Sequence, residues 1–488
     1  MSITRFSSQS SAGTDQCARK VHVVTFGCQM NKYDSLLVEG RFKARGFETT
    51  AELKEADVVL FNTCSVREHS EERTFSWLGE LKRVKEDRPD LVIGVMGCMA
   101  QRVEQEIFRR AAHVDIIVGT RRFQHLPEMV EELFARRAEP DKWNARDMRL
   151  LDTEMVAEVD VERTGEEYTG GLHGYLAVMR GCDLNCTYCI VPTTRGRVQS
   201  RTIDDLEREA RWMVEQGARV ITLLGQTVNS YGEDRPVPQA GEPTFRGRQG
   251  RPSLADLLYR LQDIEGLVRM RLVTLHPAYV STELCEAIRD CSKVDRFLPL
   301  PAQAGSDRIL KAMKRGYTTD LYRKRVAMLR AIVPDVELGS DWIVGFPTET
   351  EEEYVASEEL LKEMGFVQNY VFKYDPRPTT HSAEKLVDDI ELAVKKDRNN
   401  RLLGVAEAVA SKKLESYVGK EIDVFVEAVS ERHPHLVQGR NKYNLPVHFP
   451  GDASLVGQSV RVEVVQSSAF GLGAVPLDPE TAANETDA

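Results

Sequence analysis

The apolar positions of this chain fall into short, almost unbroken runs separated by stretches of helical spacing. Four such runs, at 21–28, 57–64, 91–98 and 114–120, come first. A continuous apolar run of this length marks a strand buried on both faces, as in a parallel sheet. Helix-like stretches at 33–45 and 101–111 lie between them. The alternation predicts an N-terminal doubly wound parallel α/β domain. A second series has runs at 175–179, 219–224, 270–275, 296–300, 337–344 and 369–373, each leading into a loop. Six βα units in chain order predict a central partial (β/α)6 barrel, shorter than the full eight. Near the end, Val460-Arg-Val-Glu-Val464 alternates apolar and polar and 422–429 is rich in strand formers. That stretch predicts a small antiparallel β-barrel.

The expected division follows. Residues 1–19 are a disordered N-terminus, 20–137 the first α/β domain and 138–172 a polar linker. Residues 173–409 form the barrel, 410–477 the β module and 478–488 a disordered acidic tail. Within the linker, 156–161 is expected to form a short strand. Residues 236–250 read as a flexible surface insertion.

Composition narrows the class. The chain has 488 residues, 42% of them hydrophobic and 29% charged, which suits about three domains with real cores. Residues 1–16 lack the apolar core of a signal peptide. No run approaches the roughly 18 apolar residues of a membrane span, so no membrane partner is expected. Nine cysteines, an odd number, fit a reducing, cytoplasmic setting better than a disulfide framework. Net charge is −11, so any contact with nucleic acid must be local. Residues 306–330 hold eight Lys or Arg against two Asp. There Arg308, Lys311 and Arg315 are expected on one helix face, where they could meet phosphates. In the β module Arg440, Lys442 and Tyr443 offer cation and stacking contacts to a single-stranded loop.

The chemistry lies in the cysteines. Gly181-Cys-Asp-Leu-Asn-Cys-Thr-Tyr-Cys189 places three thiols within eight residues. Soft thiolates in that number bind zinc or an iron–sulfur cluster. Structural zinc wants four ligands, and the nearest upstream candidate is only His173. Three thiolates on a four-iron cube instead leave one iron open to a ligand. Gly181, Asp183, Asn185 and Pro192 favour a loop over a helix that would merely bury three small side chains. Cys28, Cys64 and Cys98 end three consecutive predicted strands, at the edge where α/β sheets gather ligands. They form a second candidate cluster site, again with three thiolates. The fourth strand ends in Thr120 and adds none.

The spacing in the Cys182 loop, with Tyr188 before its last Cys, resembles the radical S-adenosylmethionine (SAM) enzymes. The resemblance implies that Cys182, Cys186 and Cys189 are the catalytic set. Their open iron would chelate SAM and deliver the electron that yields a 5′-deoxyadenosyl radical. Thr25-Phe-Gly-Cys-Gln-Met-Asn31, Asn62-Thr-Cys-Ser-Val-Arg-Glu68 and Gly97-Cys-Met-Ala-Gln-Arg102 resemble the methylthiotransferases. Gly-Cys-Gln-Met-Asn is similar to the tRNA-modifying MiaB branch; the ribosomal-protein branch has Gly-Cys-Pro-Lys-Asn there. Leu224-Gly-Gln-Thr-Val-Asn-Ser-Tyr-Gly232 and Met313-Lys-Arg-Gly-Tyr317 continue the likeness, and the β module resembles a TRAM domain.

By this resemblance Tyr188, Gly225, Gln226, Asn229 and Gln303 would lie near SAM. His276 either faces the site or is structural. Ala304 and Thr379 depart from the family pattern, which has Ser and Gly there. The implied activity converts N6-(dimethylallyl)adenosine beside the tRNA anticodon to its 2-methylthio form. Two [4Fe–4S] clusters and two SAM would serve it. Its partners would be the tRNA anticodon loop, an electron donor and a sulfur source, and a monomer is expected. The rival readings are the threonylcarbamoyladenosine branch, the ribosomal-protein branch, and a noncatalytic iron–sulfur redox sensor that binds RNA.

Overall fold

A computed structural model describes residues 18–65, 68–156, 168 and 170–477. Of the ends expected to be disordered, 1–17 of the span 1–19 and all of 478–488 lie outside the described residues, as does most of the strand expected at 156–161.

The first sheet is wholly parallel. Its strands are β1 (Lys20–Thr25), β2 (Glu48–Thr49), β3 (Val58–Thr63), β4 (Val92–Gly97), β5 (Ile116–Val118) and β6 (Leu150–Asp152). Their order is β2-β1-β3-β4-β5-β6. Every residue of β3 and β4 is buried, as central parallel strands covered on both faces must be. The edge strands β2 and β6 escape the hydrophobic pattern because they are short and incompletely buried, so they carry no continuous apolar run. Strand β6 lies within the stretch that reads as linker and pairs with β5 through Ile116–Leu150. The order reverses between β1 and β3, which leaves a crevice at their carboxyl ends. Cys28 follows β1, Cys64 follows β3 and Cys98 follows β4, so all three stand at that crevice.

The second unit starts with β7 (His173–Ala177), β8 (Met179–Arg180) and β9 (Gln199–Ser200). It continues with β10 (Val220–Leu224), β11 (Arg269–Leu272), β12 (Phe297–Pro299), β13 (Glu337–Val344) and β14 (Gln368–Lys373). Strands β7, β10, β11, β12, β13 and β14 line up parallel in chain order, with Met270–Val294 bridging the two halves. This is the open barrel that the run spacing predicts. The β8–β9 hairpin pairs the two ends of the Cys182 loop, Arg180 with Gln199.

The third unit has β15 (Glu421–Val429), β16 (Leu436–Asn441), β17 (Pro446–Pro450), β18 (Ser459–Ser468) and β19 (Gly471–Pro476). They close into a barrel in the order β15-β16-β17-β19-β18. In β18, Val460, Val462 and Val464 point in while Arg461 and Glu463 face out, the period-2 pattern of a half-buried strand. Closure leaves this small sheet no free edge. No helix among the described residues is long and apolar enough to cross a membrane.

The barrel is covered at both ends. At the carboxyl end lies the helix Gln29–Ala44, whose Met30 and Tyr33 pack on Ala177 and Leu224. At the amino end sits the β module. Arg271 meets Glu427 at 2.6 Å, Arg269 donates to the Arg440 carbonyl at 2.6 Å, and Lys442 meets Asp335 at 2.8 Å.

Candidate functional site

Cys28 and Cys64 stand on turns locked by buried amides, and Cys98 opens a short helix after β4. Asn31 donates to Asn62 Oδ1 at 2.8 Å and to the Thr63 carbonyl at 3.0 Å. Asn62 donates back to the Asn31 carbonyl at 2.7 Å and to Ser35 at 3.0 Å. This exchange ties the turn bearing Cys28 to the turn bearing Cys64. Gly97, at φ 99°, brings in Cys98; a Cβ there would come within 2.5 Å of the Thr63 carbonyl oxygen. Burial pushes the Cys98 thiol up, and the cation of Arg195 and the hydroxyl of Thr194 partly offset this.

The Cys182 loop is anchored to the barrel. Cys182 N–H donates to Gly196 O at 3.1 Å, Thr187 N–H to Met313 O at 3.0 Å, and Ser382 N–H to Thr187 O at 2.8 Å. Gly181 opens the loop at φ 71°, where a Cβ would lie 2.1 Å from the Arg197 carbonyl oxygen. Cys182 Sγ sits 3.6 Å from the Thr227 hydroxyl. Arg315 donates to Cys186 Sγ at 3.3 Å and to the Tyr188 hydroxyl at 3.4 Å. Burial pushes the Cys182 thiol up and carries Cys189 up to about 12.

Both thiol sets fit four-iron clusters. None of the six cysteines forms a disulfide among the described residues. Burial favours the protonated thiol at Cys98, Cys182 and Cys189; a soft cation in the proton's place stabilises the thiolates. Among the described residues no three His, Cys, Asp or Glu side chains converge as they would on one ion. A cube demands no such convergence, because each thiolate binds a different iron and the three surround a volume.

One buried joint connects the two sets. Asp34, on the helix that Cys28 opens, accepts from Arg180 at 3.0 Å and Arg195 at 2.9 Å. Arg180 lies just before the Cys182 loop and Arg195 just after it. The β5 end supplies a second grip: Thr120 donates to the Thr194 carbonyl, and Arg121 to the carbonyls of Arg195 at 2.8 Å and Arg197 at 2.9 Å. Thr120, which adds no thiolate, thus docks one domain on the other. Asp34→Ala leaves two guanidinium groups buried without their acid. We expect it to destabilise the iron-free protein by about 3–5 kcal/mol. Urea unfolding checks this, and an unchanged midpoint contradicts it. Sequence reading passes over Asn31, Asp34, Asn62, Arg180 and Arg195; the two Asn lie inside quoted motifs, but no local spacing pairs Asp34 with either Arg.

Other candidate residues take varied places. Gly225 is buried against Met179, and Gln226 lies beside it on the β10 loop. Asn229 bonds the His276 backbone in both directions, at 2.9 and 2.8 Å, pinning the β10 loop to the β11 loop. His276 itself is buried. Its Nδ1 accepts from Ala278 N–H at 3.3 Å, and burial with the nearby Arg315 cation lowers its pKa to about 3. Gln303 is buried at φ 68° and bridges to Trp342 of β13. Ala304, one of the departures, is buried in the barrel core; Thr379 holds φ 71°, a conformation that glycine adopts without strain.

The structure corrects the basic strip and gives the β-module residues partners. Arg308, Lys311 and Arg315 do not share a face, because the helix Asp307–Ala312 ends before Arg315 and the chain turns inward. Arg308 pairs with Glu353, Lys311 is exposed, and Arg315 is buried against Cys186. In the β module, Lys442 pairs with Asp335, Arg440 faces Glu427 at 3.5 Å, and Tyr443 packs on Tyr417. Of these contacts, only that of Lys442 crosses to the barrel, and Lys442 stays exposed. The 236–250 insertion is fastened too: Arg246 meets Asp256 at 3.0 Å and Gly247 bonds Arg251.

A cavity of about 640 Å³ runs through the barrel lumen. Gln29, next to Cys28, lines it at one end and Glu427 and Arg440 at the other, with Thr222, Arg271, Thr274 and Asp341 between. A cleft of about 730 Å³ lies outside the lumen, between the barrel and the β module, at the end away from the thiol-bearing loops. The lumen, covered by the helix that starts at Cys28, is the better place for a substrate.

Comparison with known proteins agrees with this architecture. The model described as Uncharacterized protein family UPF0004 matches residues 20–119, that of the Radical SAM superfamily residues 176–361, and that of the TRAM domain residues 415–477. A protein of Acetivibrio thermocellus named tRNA-2-methylthio-N(6)-dimethylallyladenosine synthase is 40% identical over 90% of this chain and 87% of its own. One of the same name from Thermoanaerobacter pseudethanolicus is 38% identical, covering 92% of this chain and 91% of its own. Among solved structures, the radical S-adenosylmethionine methyltransferase TsrM from Kitasatospora setae superposes at a TM-score of 0.51. That match has 14% identity and covers 75% of this chain and 77% of the other, a likeness of fold alone.

Proposed function

The chain belongs to the tRNA-2-methylthio-N(6)-dimethylallyladenosine synthase family, and from that premise we propose that it performs this methylthiolation on tRNA. The substrate is N6-(dimethylallyl)adenosine beside the anticodon, and the added group goes to C2 of the base. The observation that carries the proposal is the pairing of two three-thiol sites across one buried joint at the barrel mouth. Cys182, Cys186 and Cys189 would hold the cluster that binds SAM, with Tyr188, Gly225, Gln226 and Gln303 nearby. Cys28, Cys64 and Cys98 would hold the second. Once bound, these groups supply reductive cleavage of SAM and a place to carry sulfur. The chain's own part is to seat both and keep water out of the lumen. Cytoplasmic location, action as a monomer, and the need for an electron donor and a sulfur source belong to the same proposal.

The lumen favours the dimethylallyl over the threonylcarbamoyl substrate. A threonylcarbamoyl group carries a carboxylate and wants a free cation. Arg271 and Arg440, which line the cavity, both face Glu427, and Arg271 also meets Asp295 at 3.2 Å. Mass spectrometry of tRNA nucleosides from a strain lacking the gene tests the assignment. The 2-methylthio nucleoside should vanish while N6-(dimethylallyl)adenosine accumulates. Loss of a methylthiolated threonylcarbamoyl nucleoside, or of a modified ribosomal protein, points to a rival branch instead.

A further inference from the structure

Arg315 is a buried cation without an acid. Its guanidinium donates to Cys186 Sγ at 3.3 Å, to the Tyr188 hydroxyl at 3.4 Å and to the Tyr317 hydroxyl at 3.2 Å. Arg315 is 7% exposed and Cys186 9%. Among the described residues no carboxylate lies within ion-pair reach of it. Arg195, Arg201 and Arg398 are as deeply buried, and each meets one: Asp34, Glu209 and Glu349. An uncompensated charge is costly to remove from water. The backbone is nevertheless bent to bring it there. Lys314 and Gly316, on either side, both hold positive φ, 55° and 70°. The loop it touches is bonded to the same turn, through Thr187 to the carbonyls of Ala312 and Met313.

The missing counter-charge matches a three-thiolate four-iron cluster. Three thiolates outweigh the charge of the oxidised core, so such a site is anionic, and an added electron makes it more so. We infer that Arg315 is a positioning residue that favours the reduced form of the cluster held by Cys182, Cys186 and Cys189. This rests on the proposal that those thiols hold that cluster. A fixed cation stabilises the more negative state more strongly, and a hydrogen bond to a ligating sulfur acts in the same direction. The electron comes from an external one-electron reductant, and no bond or proton in the protein changes.

The test uses full-length protein in which Cys28, Cys64 and Cys98 are Ala, so that one cluster reports. Arg315→Met and Arg315→Lys are made in that background and titrated potentiometrically, followed by electron paramagnetic resonance. At the parent's midpoint potential, the reduced-to-oxidised ratio should fall roughly tenfold or more in the Met variant. That is the scale of losing one charge-assisted hydrogen bond. The Lys variant should stay near the parent. Failure of the Met variant alone to load iron also supports charge complementarity. Equal midpoints in all three, or a rise in the Met variant, overturn the inference. So does loss of iron from both variants, which marks a need for arginine's shape. A parent with no four-iron signal overturns the cluster assignment itself, and this inference with it.

Discussion

A variant with Cys28, Cys64 and Cys98 all changed to Ala is expected to cleave SAM to 5′-deoxyadenosine and to form no methylthiolated tRNA. The expectation comes from where the anchors lie. The Cys182 loop is held by Gly196, Met313 and Ser382, all in the barrel unit. Removing three thiols from the neighbouring domain leaves those bonds intact. It leaves Asp34 on its two arginines as well, so the domains stay docked. What is lost is the other set of soft ligands that the described residues place at the barrel mouth. Product formation should fall to background while cleavage under strong reductant persists. Methylthiolated tRNA from this variant refutes the division of roles, whatever its iron content.

The reciprocal variant, with Cys182, Cys186 and Cys189 changed to Ala, should lose reductive cleavage altogether. It should keep about four irons per chain, the content of one intact cluster. The second site survives because its thiols are set by Asn31, Asn62 and Gly97 inside the first sheet. Its counter-charge survives too, since Arg195 keeps its place through Asp34. Iron analysis together with chromatography for 5′-deoxyadenosine checks both halves. Complete loss of iron means that the two sites are not independent.

Much of this was legible in the chain because it depends on local pattern. A strand buried on both faces is a nearly continuous apolar run, so β3, β4, β5 and β10 read directly, and the partly buried β1 and other barrel strands keep enough of the run to be read. A cluster loop needs its thiols close in sequence, so the Cys182 set was plain from spacing. Cys28, Cys64 and Cys98 came from position, each following a run. The basic strip misled for a related reason: helical periodicity assumes that the helix continues, and here positive φ at Lys314 and Gly316 ends it. The reading of Arg440, Lys442 and Tyr443 likewise rests on composition, which cannot register that they meet Glu427, Asp335 and Tyr417.

By itself, the sequence determined the order of the elements, the two thiol sets and the strand ends that carry them. These follow from periods of two and 3.6 residues and from spacings of a few positions. Tertiary structure alone decided which charge meets which. Arg315 reaches Cys186 across 129 residues of chain, and Arg195 reaches Asp34 across 161. No local propensity records such a pairing, because an ion pair stabilises only once folding has brought both groups out of water. The sequence therefore shows where soft ligands gather, while the fold alone supplies the buried cations that face them.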